Sequence, residues 1–237
     1  MACRNLLLRL EAQGQIQLPP RKTASVNGLR NRQVIPLDHD QSLREGPLES
    51  LQPLQVQVVS PASSDDRLFR FLLQRYHYLG HRHALGENLK YLAHDRHGRP
   101  LACLLFGSAA WELAARDRWI GWEAQQRQRR LFLLANNTRL LLLPWVRTAQ
   151  LACHLLAQVS RRLSADWQQK YGHPIYLLET FVESGRFAAH CYRAAGWVQV
   201  GLTTGRTRRD GGLKPRVPIK AVYVKALQAD ALRRLAA

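Results

Sequence analysis

The chain has 237 residues, of which 46% are hydrophobic, and its 35 Lys and Arg against 17 Asp and Glu give a net charge of +18. This apolar content excludes a mainly disordered protein, and the length fits one sizeable domain with an appendage or two small domains. A strongly positive field attracts polyanions, and arginine, which outnumbers lysine here, suits bidentate phosphate contacts. The charge therefore favours nucleic acid over an anionic membrane as partner, although an arginine-rich proteome would give the same bias.

The sequence predicts a soluble cytoplasmic protein without a membrane partner. Arg4 and Arg9 interrupt the first apolar run, which argues against a signal peptide, and no uncharged apolar stretch reaches the ~18 residues of a membrane span. None of the cysteines forms a C-x-x-C pair, and the last three lie in apolar stretches typical of reduced core thiols. The cysteines are Cys3, Cys103, Cys153 and Cys191.

The N-terminal segment is predicted to be a small appendage, and we assign residues 1–50 to an arm with a linker and residues 51–237 to the core domain. An apolar stripe predicts a helix that stops at Gly14 and is followed by a short strand. Residues 21–50 have the Pro, Gly, Asn and Ser content of a linker. The segment is either part of a winged-helix DNA-binding unit or an arm that packs on the core.

The first half of the core domain is predicted to contain a strand, a helix and a β-hairpin. Alternating apolar residues indicate the strands, Gly98 lies at the hairpin turn, and Ser64 or Asp65 is positioned to cap the helix. The predicted elements are strand 54–59, helix 67–78 and hairpin strands 88–94 and 101–107.

The second half alternates strands and helices, so we predict an α/β (α+β) fold in which helices flank a mixed sheet. Ser184 and Gly196 are positioned to cap the helix before the last strands. The predicted elements are partial helix 112–130, strand region 131–143 with a polar bulge at 136–139, long helix 148–171, strand 175–182, helix 187–195, and strands 198–202 and 219–224.

The order of these elements and the segment CYRAAGWVQVG (191–201) resemble the Gcn5-related N-acetyltransferase (GNAT) superfamily. The resemblance implies a GNAT-like sheet and acetyl-CoA, whose pyrophosphate that superfamily holds on a glycine-rich loop before the long helix. The corresponding stretch here, LPWVRTAQLA (143–152), has no glycine, and close backbone approach to phosphate favours small residues. We therefore do not expect acetyl-CoA as a cofactor.

Five further segments resemble the family of DruA, a component of Druantia anti-phage systems with transposon-associated relatives. They occur in the family's order and extend the resemblance over residues 1–225. The segments are YHYLGH (76–81), RDRWIGW (116–122), NNTRLLLLPWV (136–146), LLETFVE (177–183) and GWVQVGLTTGRTRRD (196–210). The resemblance implies a mobile-element or defence context with partner proteins, but no particular reaction.

Glu179 is the leading candidate catalytic residue, because it follows the apolar run 175–178 at the edge where α/β sheets place ligand-contacting groups. A buried charge there needs a partner, and Arg139 is the expected one, as a structural pair or as part of a site. Asp117 is a second candidate, which together with Glu179 would bind Mg²⁺ or Mn²⁺ for phosphodiester cleavage. Its alternative is a solvated salt bridge with its flanking arginines.

The stretch YHYLGHRH places His77, His81 and His83 together. A His-x-His pair is compatible with zinc, and His77 or His81 with a general base. The alternative is a loop of hydrogen-bonded or nucleic-acid-facing histidines.

Two further groups are candidate nucleic-acid contacts. The stretch TTGRTRRD supplies Thr204, Arg206, Arg208 and Arg209 for phosphate, or is a solvated basic tail. Trp119 and Trp122 flank basic residues and either stack on unpaired bases or pack in the core.

Three functions remain open from the sequence. The first is a DNA-binding or DNA-processing protein of a mobile element or anti-phage system, acting on single- or double-stranded DNA. The second is a GNAT-type acyltransferase with Glu179 as general base and Tyr192 as general acid. The third is a non-catalytic adaptor on a GNAT-like core.

Overall fold

The computed structural model describes residues 2–19, 36–82, 84, 86–205 and 217–236. It divides into two compact units, Met1–Ile35 and Pro36–Ala237. The smaller unit contains helix α1 (Ala2–Ala12), which is followed by Gly14 in the left-handed conformation (φ +69°). The short strand predicted after Gly14 does not form within residues 15–19.

The described residues of the larger unit contain nine strands. They are β1 (Arg44–Glu45), β2 (Gln55–Val58), β3 (Asn88–His94), β4 (Pro100–Ser108), β5 (Leu134–Leu142), β6 (Val146–Arg147), β7 (Leu177–Val182), β8 (Val198–Leu202) and β9 (Ala221–Ala226). Seven of them form a mixed sheet in the order β2-β3-β4-β5-β7-β9-β8, in which only the β5–β7 pair is parallel. This confirms the predicted GNAT-like mixed sheet.

Helices cover both faces of this sheet. They are α2 (Ser64–Tyr76), α3 (Ala114–Ile120), α4 (Ala124–Arg130), α5 (Leu151–Tyr171), α6 (His190–Ala194) and α7 (Ala231–Ala236). Successive strand residues point to opposite faces, and Lys90 bonds to Asp66 of α2 while Tyr91 bonds to Asp166 of α5. The helices α2 and α5 therefore lie on opposite faces, and none of the described helices is long and apolar enough to cross a membrane.

Several local predictions are confirmed and two are corrected. The hairpin β3–β4 forms with Gly98 at its turn, and Gly196 ends α6 with positive φ. The side chain that caps α2 is Ser63 rather than Ser64 or Asp65. Helix α6 starts at residue 190 after Ala189 in the left-handed conformation, so Ser184 is not its cap.

Residues 36–50, which the sequence assigned to the arm and linker, form part of the larger unit. Strand β1 pairs in parallel with β6, the short strand that precedes α5. The backbone N–H of Arg44 also donates to the carbonyl of Trp145 at 2.8 Å. This small two-stranded sheet therefore joins residues 44–45 to the turn that leads into the long helix.

The central strands β5 and β7 separate after a short pairing. They pair only from Leu134 to Asn136 against Leu177 to Glu179, although β5 continues to Leu142 and β7 to Val182. The predicted polar bulge forms where the strands separate, because Phe106 of β4 pairs with Asn137 and Leu105 with Arg139. An extra residue in one strand bends that strand and breaks its regular pairing. The sheet therefore opens between β5 and β7.

Candidate functional site

The diverging strands enclose a cleft of about 700 Å³. Its walls are the second half of β5 and of β7, the segment 76–79 after α2, and the segment 186–192 that contains the start of α6. This volume falls within the usual range for small-molecule sites. The parallel strand pair thus places a ligand-sized opening at the carboxyl ends of β5 and β7.

The floor of the cleft is a hydrogen-bonded group centred on Asn137. The Tyr192 hydroxyl donates to Asn137 Oδ1 at 2.6 Å, and the Thr180 hydroxyl donates to the Asn137 carbonyl at 2.9 Å. Asn137 Nδ2 donates in turn to the carbonyls of Leu105 and Arg139. Burial raises the pKa of Tyr192, so its phenol keeps its proton at neutral pH.

Arg139 supplies positive charge to the cleft wall. Its Nε donates to the Gly80 carbonyl at 3.0 Å and its Nη1 to the Thr138 carbonyl at 2.7 Å. Burial, followed by the neighbouring Arg82, lowers the pKa of Arg139. Among the described residues, no carboxylate forms an ion pair with Arg139 or with Arg186 on the opposite wall.

The mouth of the cleft combines an arginine with two aromatic rings. The Arg186 guanidinium lies 4.4 Å from the centre of the Tyr78 ring and 5.7 Å from that of Phe187, and the two rings are 5.3 Å apart. Tyr78 is 38% exposed and Phe187 43% exposed. A guanidinium over an aromatic face leaves a flat apolar surface beside a phosphate-binding group.

Of the two described candidate histidines of the stretch YHYLGHRH, His77 lines the cleft and His81 does not. His77 lines the cleft, stacks on Tyr78 at 4.8 Å, and accepts the Leu79 N–H at Nδ1. Burial, together with Arg139 and Arg186, lowers the pKa of His77 from 6.5 to about 4, so it is neutral at pH 7. The His81 N–H donates to Gln74, and His83 lies outside the described residues.

Glu179 does not face the cleft. Its side chain is fully buried, accepts the Ala110 N–H at 2.6 Å, and pairs with Arg116 at 2.7 Å. The prediction that Arg139 is the partner of Glu179 is therefore wrong, because Arg139 lies beyond the point where β5 and β7 separate. Burial raises the pKa of Glu179, and the charge of Arg116 opposes that rise.

Asp117 belongs to the same buried group. Its Oδ1 accepts from Arg116 at 2.7 Å and its Oδ2 from Arg127 at 3.2 Å. The guanidinium of Arg116 thus bonds to both carboxylates of the predicted metal site. No three His, Cys, Asp or Glu side chains are grouped as metal ligands anywhere in the described ranges. The geometry is that of a buried ion-pair network.

The other candidate contacts have different surroundings. Trp122 is buried, donates from Nε1 to the Leu235 carbonyl at 2.6 Å, and packs in the core with the half-buried Trp119. Thr204 is exposed at the end of β8. Arg206, Arg208 and Arg209 lie outside the described residues.

Sequence reasoning missed the residues that form the mouth and floor of the cleft: Tyr78, Asn137, Arg186, Phe187 and Lys220. The signal for two of them was the basic–aromatic pair in ESGRF, which directly follows the strand that carries Glu179. The others are ordinary strand and loop residues, and only the separation of β5 from β7 brings them together.

The family model of Druantia protein DruA matches residues 14–213, which is most of the chain. The chain belongs to the DruA family. The motifs from 76 to 210 that carried the resemblance lie almost entirely within this match. DruA membership places the chain in an anti-phage defence context. Comparison with curated proteins gives no sequence match.

Solved structures with a similar fold are acetyltransferases. Spermidine N-acetyltransferase from Vibrio cholerae in complex with CoA and spermine is 10% identical, with 72% of this chain and 94% of that chain covered and a TM-score of 0.46. The same kind of enzyme in complex with manganese ions is 12% identical, with coverages of 76% and 96% and a TM-score of 0.45. A GNAT acetyltransferase from Streptococcus pneumoniae is 14% identical, with coverages of 73% and 99% and a TM-score of 0.42.

The seven-stranded mixed sheet with its helices agrees with the predicted GNAT-like core, and one expectation is corrected. The sequence argued against acetyl-CoA because residues 143–152 contain no glycine. That exclusion is wrong, since the neighbours of this DruA-family fold are acetyltransferases and one of them was solved with CoA. The physical reason is that the space between two diverging strands does not depend on glycine in the loop before α5.

Proposed function

We propose that this DruA-family protein is a nucleic-acid-binding component of an anti-phage system whose cleft receives an unpaired nucleotide. The observation that carries the proposal is the charge of the cleft. Its described lining includes Arg139, Arg186 and Lys220 together with two histidines, and contains no carboxylate. Cationic groups that no nearby acid neutralises are suited to a phosphate, because they gain more from it than paired groups would.

The aromatic mouth supports a nucleotide over a simple anion. Bases stack on exposed aromatic rings regardless of their identity, and Tyr78 and Phe187 are such rings beside Arg186. A base in duplex DNA is stacked on its neighbours, so stacking at this mouth requires an unpaired strand. The cleft therefore fits single-stranded nucleic acid or a strand end.

The proposal is one of binding and does not assign strand cleavage to Glu179 and Asp117. Both carboxylates are engaged by Arg116 in the core and neither lines the cleft. A group that cuts a strand must reach the reacting phosphate, directly or through one water.

A second candidate function is acyl transfer from a CoA thioester in the same cleft. It is favoured by Tyr192, whose phenol lines the cleft and keeps its proton at neutral pH, as a general acid must. The pairing of this acid with Glu179 as general base, which the sequence suggested, is not part of the candidate, because Glu179 is fully buried.

The test measures the binding of labelled single-stranded DNA by fluorescence anisotropy. We expect the double variant Tyr78→Ala/Arg186→Ala to lose at least about 30-fold in affinity, since a stacked base and a charge-assisted bond are each worth roughly 1–3 kcal/mol. The matched control Arg67→Ala/Arg161→Ala removes two exposed arginines that do not line the cleft and should change the affinity less than about threefold.

Two outcomes would contradict the proposal. The first is equal affinity of the cleft variant and the wild-type protein for single-stranded DNA. The second is displacement of the DNA by CoA combined with acetylation of an added amine, which would favour the acyltransferase.

A further inference from the structure

A second cationic surface lies at the opposite end of β5 and β7. Helix α4 leads through a short turn into the start of β5, and α7 lies beside it. Arg130 of α4 donates to the Arg234 carbonyl at 2.6 Å, and Gln126 donates to the Ala236 carbonyl at 3.1 Å. These bonds hold the two helices side by side at the amino-terminal ends of the central strands.

The charge of this surface is almost entirely positive. Helix α4 (AQQRQRR) and helix α7 (ALRRLA) contain no acidic residue. Arg127 is committed to Asp117, which leaves an arginine face formed by Arg129, Arg130, Arg233 and Arg234. Among the described residues, the carboxylate that pairs with this face is Asp230, which lies 2.7 Å from Arg234 and 3.6 Å from Arg233.

The arginines of this face project into solvent. The side chain of Arg233 is 83% exposed and that of Arg234 is 49% exposed, and Arg129 is also exposed. The Arg234 guanidinium lies 5.3 Å from the centre of the Tyr176 ring, which holds it in place. Several guanidinium groups on two neighbouring helices are suited to contact successive phosphates of one backbone.

The arginine face is separate from the cleft. It lies near Leu134 and Leu177, where β5 and β7 begin, and the cleft opens where they end. The six residues of β7 span about 17–20 Å at the usual rise per residue. A ligand on one surface therefore does not contact the other unless it is a long chain.

We propose that the arginine face binds the phosphate backbone of double-stranded nucleic acid. The inference rests on the proposed function to the extent that both surfaces act on nucleic acid. Its charge is spread over the outer sides of two helices and does not line the cleft, so the ligand that we propose for it is a backbone rather than a base. The two surfaces together fit a junction at which a duplex continues into a single strand.

A lipid surface is less suited to this face. Membrane-bound amphipathic helices insert a continuous apolar side. In α7, Ala231 and Leu235 are fully buried, with Leu235 packed against Trp122, and Leu232 is a single exposed leucine beside the arginines. The buried side holds α7 on the domain and leaves its arginines to the solvent.

The test uses the double variant Arg129→Glu/Arg233→Glu in the full chain. Within the part of the chain that the structure describes, neither side chain has a hydrogen bond and Arg233 has only the 3.6 Å ion pair with Asp230, so the melting temperature should stay unchanged. Each phosphate contact changes the salt slope of log K by ~0.9 and is worth roughly tenfold at ~0.1 M salt. Affinity for a blunt DNA duplex should therefore fall about 100-fold, and the slope by about 2.

Three comparisons decide the outcome. The control Arg67→Glu/Arg161→Glu makes the same charge change on other helices, and an equal loss of duplex affinity in it would overturn the arginine face. An unchanged duplex affinity in Arg129→Glu/Arg233→Glu would overturn it as well. Equal loss of binding to anionic phosphatidylserine vesicles and to duplex would replace nucleic acid by lipid.

The two proposals fail separately. If the wild-type protein binds duplex but not single-stranded DNA, and Arg129→Glu/Arg233→Glu loses the duplex, the arginine face stands and the cleft proposal fails. If Tyr78→Ala/Arg186→Ala alone reduces the affinity for single strands while the duplex affinity of both variants is unchanged, the cleft stands and the arginine face fails. A duplex with a single-stranded overhang should bind more tightly than either part when both stand.

Discussion

Glu179 and Thr180 are neighbours on β7, and they belong to opposite regions of the molecule. Glu179 is in a network where each charge has a buried partner of opposite sign, formed with Arg116 and Asp117. Thr180 lines the cleft, where Arg139 and Arg186 have no carboxylate partner among the described residues. The two residues share a strand, but their side chains point to opposite faces of it.

The difference separates stability from binding. In the network, Arg116 joins the loop after β4, through the Ala110 carbonyl, to β7 and to α3. The charges of this network are all paired with one another inside the protein. In the cleft, the positive charge is not paired with a carboxylate of the described residues and is available to a ligand. A carboxylate in a central strand of a basic protein is therefore not by itself a sign of an active site.

The strongest test of this comparison is the removal of Arg116. We expect Arg116→Met to lower the free energy of unfolding by about 3–5 kcal/mol, because Glu179 and Asp117 would remain buried without their partner. Chemical denaturation measures this change. The control is Arg118→Met, an exposed neighbour on the same helix, which should cost under ~0.5 kcal/mol. A loss below ~1 kcal/mol in Arg116→Met would mean that the network does not stabilise the fold.

A smaller loss of stability should distinguish the floor of the cleft from the edge of the sheet. Tyr192→Phe removes the 2.6 Å bond to Asn137 Oδ1 and leaves a buried acceptor unpaired, so the free energy of unfolding should fall by about 1–3 kcal/mol. Tyr223→Phe is the matched control, since its hydroxyl bonds to the exposed Gln199. Equal costs for the two variants would show that the floor of the cleft is no more rigid than the edge of the sheet.

The smallest effect concerns protonation in the cleft. The pKa of His77 is about 4 in the folded protein against 6.5 for the free side chain, so the unfolded chain binds more protons between these values. Stability should therefore fall as the pH decreases from about 6.5 to about 4, by under ~1 kcal/mol after solvent screening. His77→Gln should remove this part of the pH dependence of unfolding. An unchanged pH profile in that variant would contradict the role of Arg139 and Arg186 as unneutralised neighbours.

The sequence was sufficient to predict the sheet, its helices and the family. Alternating residues showed the hairpin, the apolar stripe showed α5, and the polar run NNTR marked the bulge in β5. These are local patterns, and tertiary packing preserved them. The ends of α2 and α6 were misplaced by one to three residues, because backbone geometry at Ser63 and Ala189 decides them.

The site was harder to predict for a different reason. Glu179 was predicted to face a site at the edge of a central strand, but it lies inside β7 with its side chain fully buried. The pattern LLETFV does not show which side of the sheet is buried by a helix. Arg116 becomes its partner only because α3 packs on that side. The cleft residues come from three separate segments, and no spacing in the sequence records that β5 and β7 diverge.

The short pairing of β5 with β7 divides the sheet into two halves that are joined by few hydrogen bonds. Four strands lie on one side of it and three on the other, and within the sheet the two halves meet along three residue pairs. The ion pair between Arg116 and Glu179 links the two halves beside the loop after β4. The angle between the two halves of the sheet sets the width of the cleft. A ligand that widens the cleft would therefore strain the buried ion pairs that connect the halves.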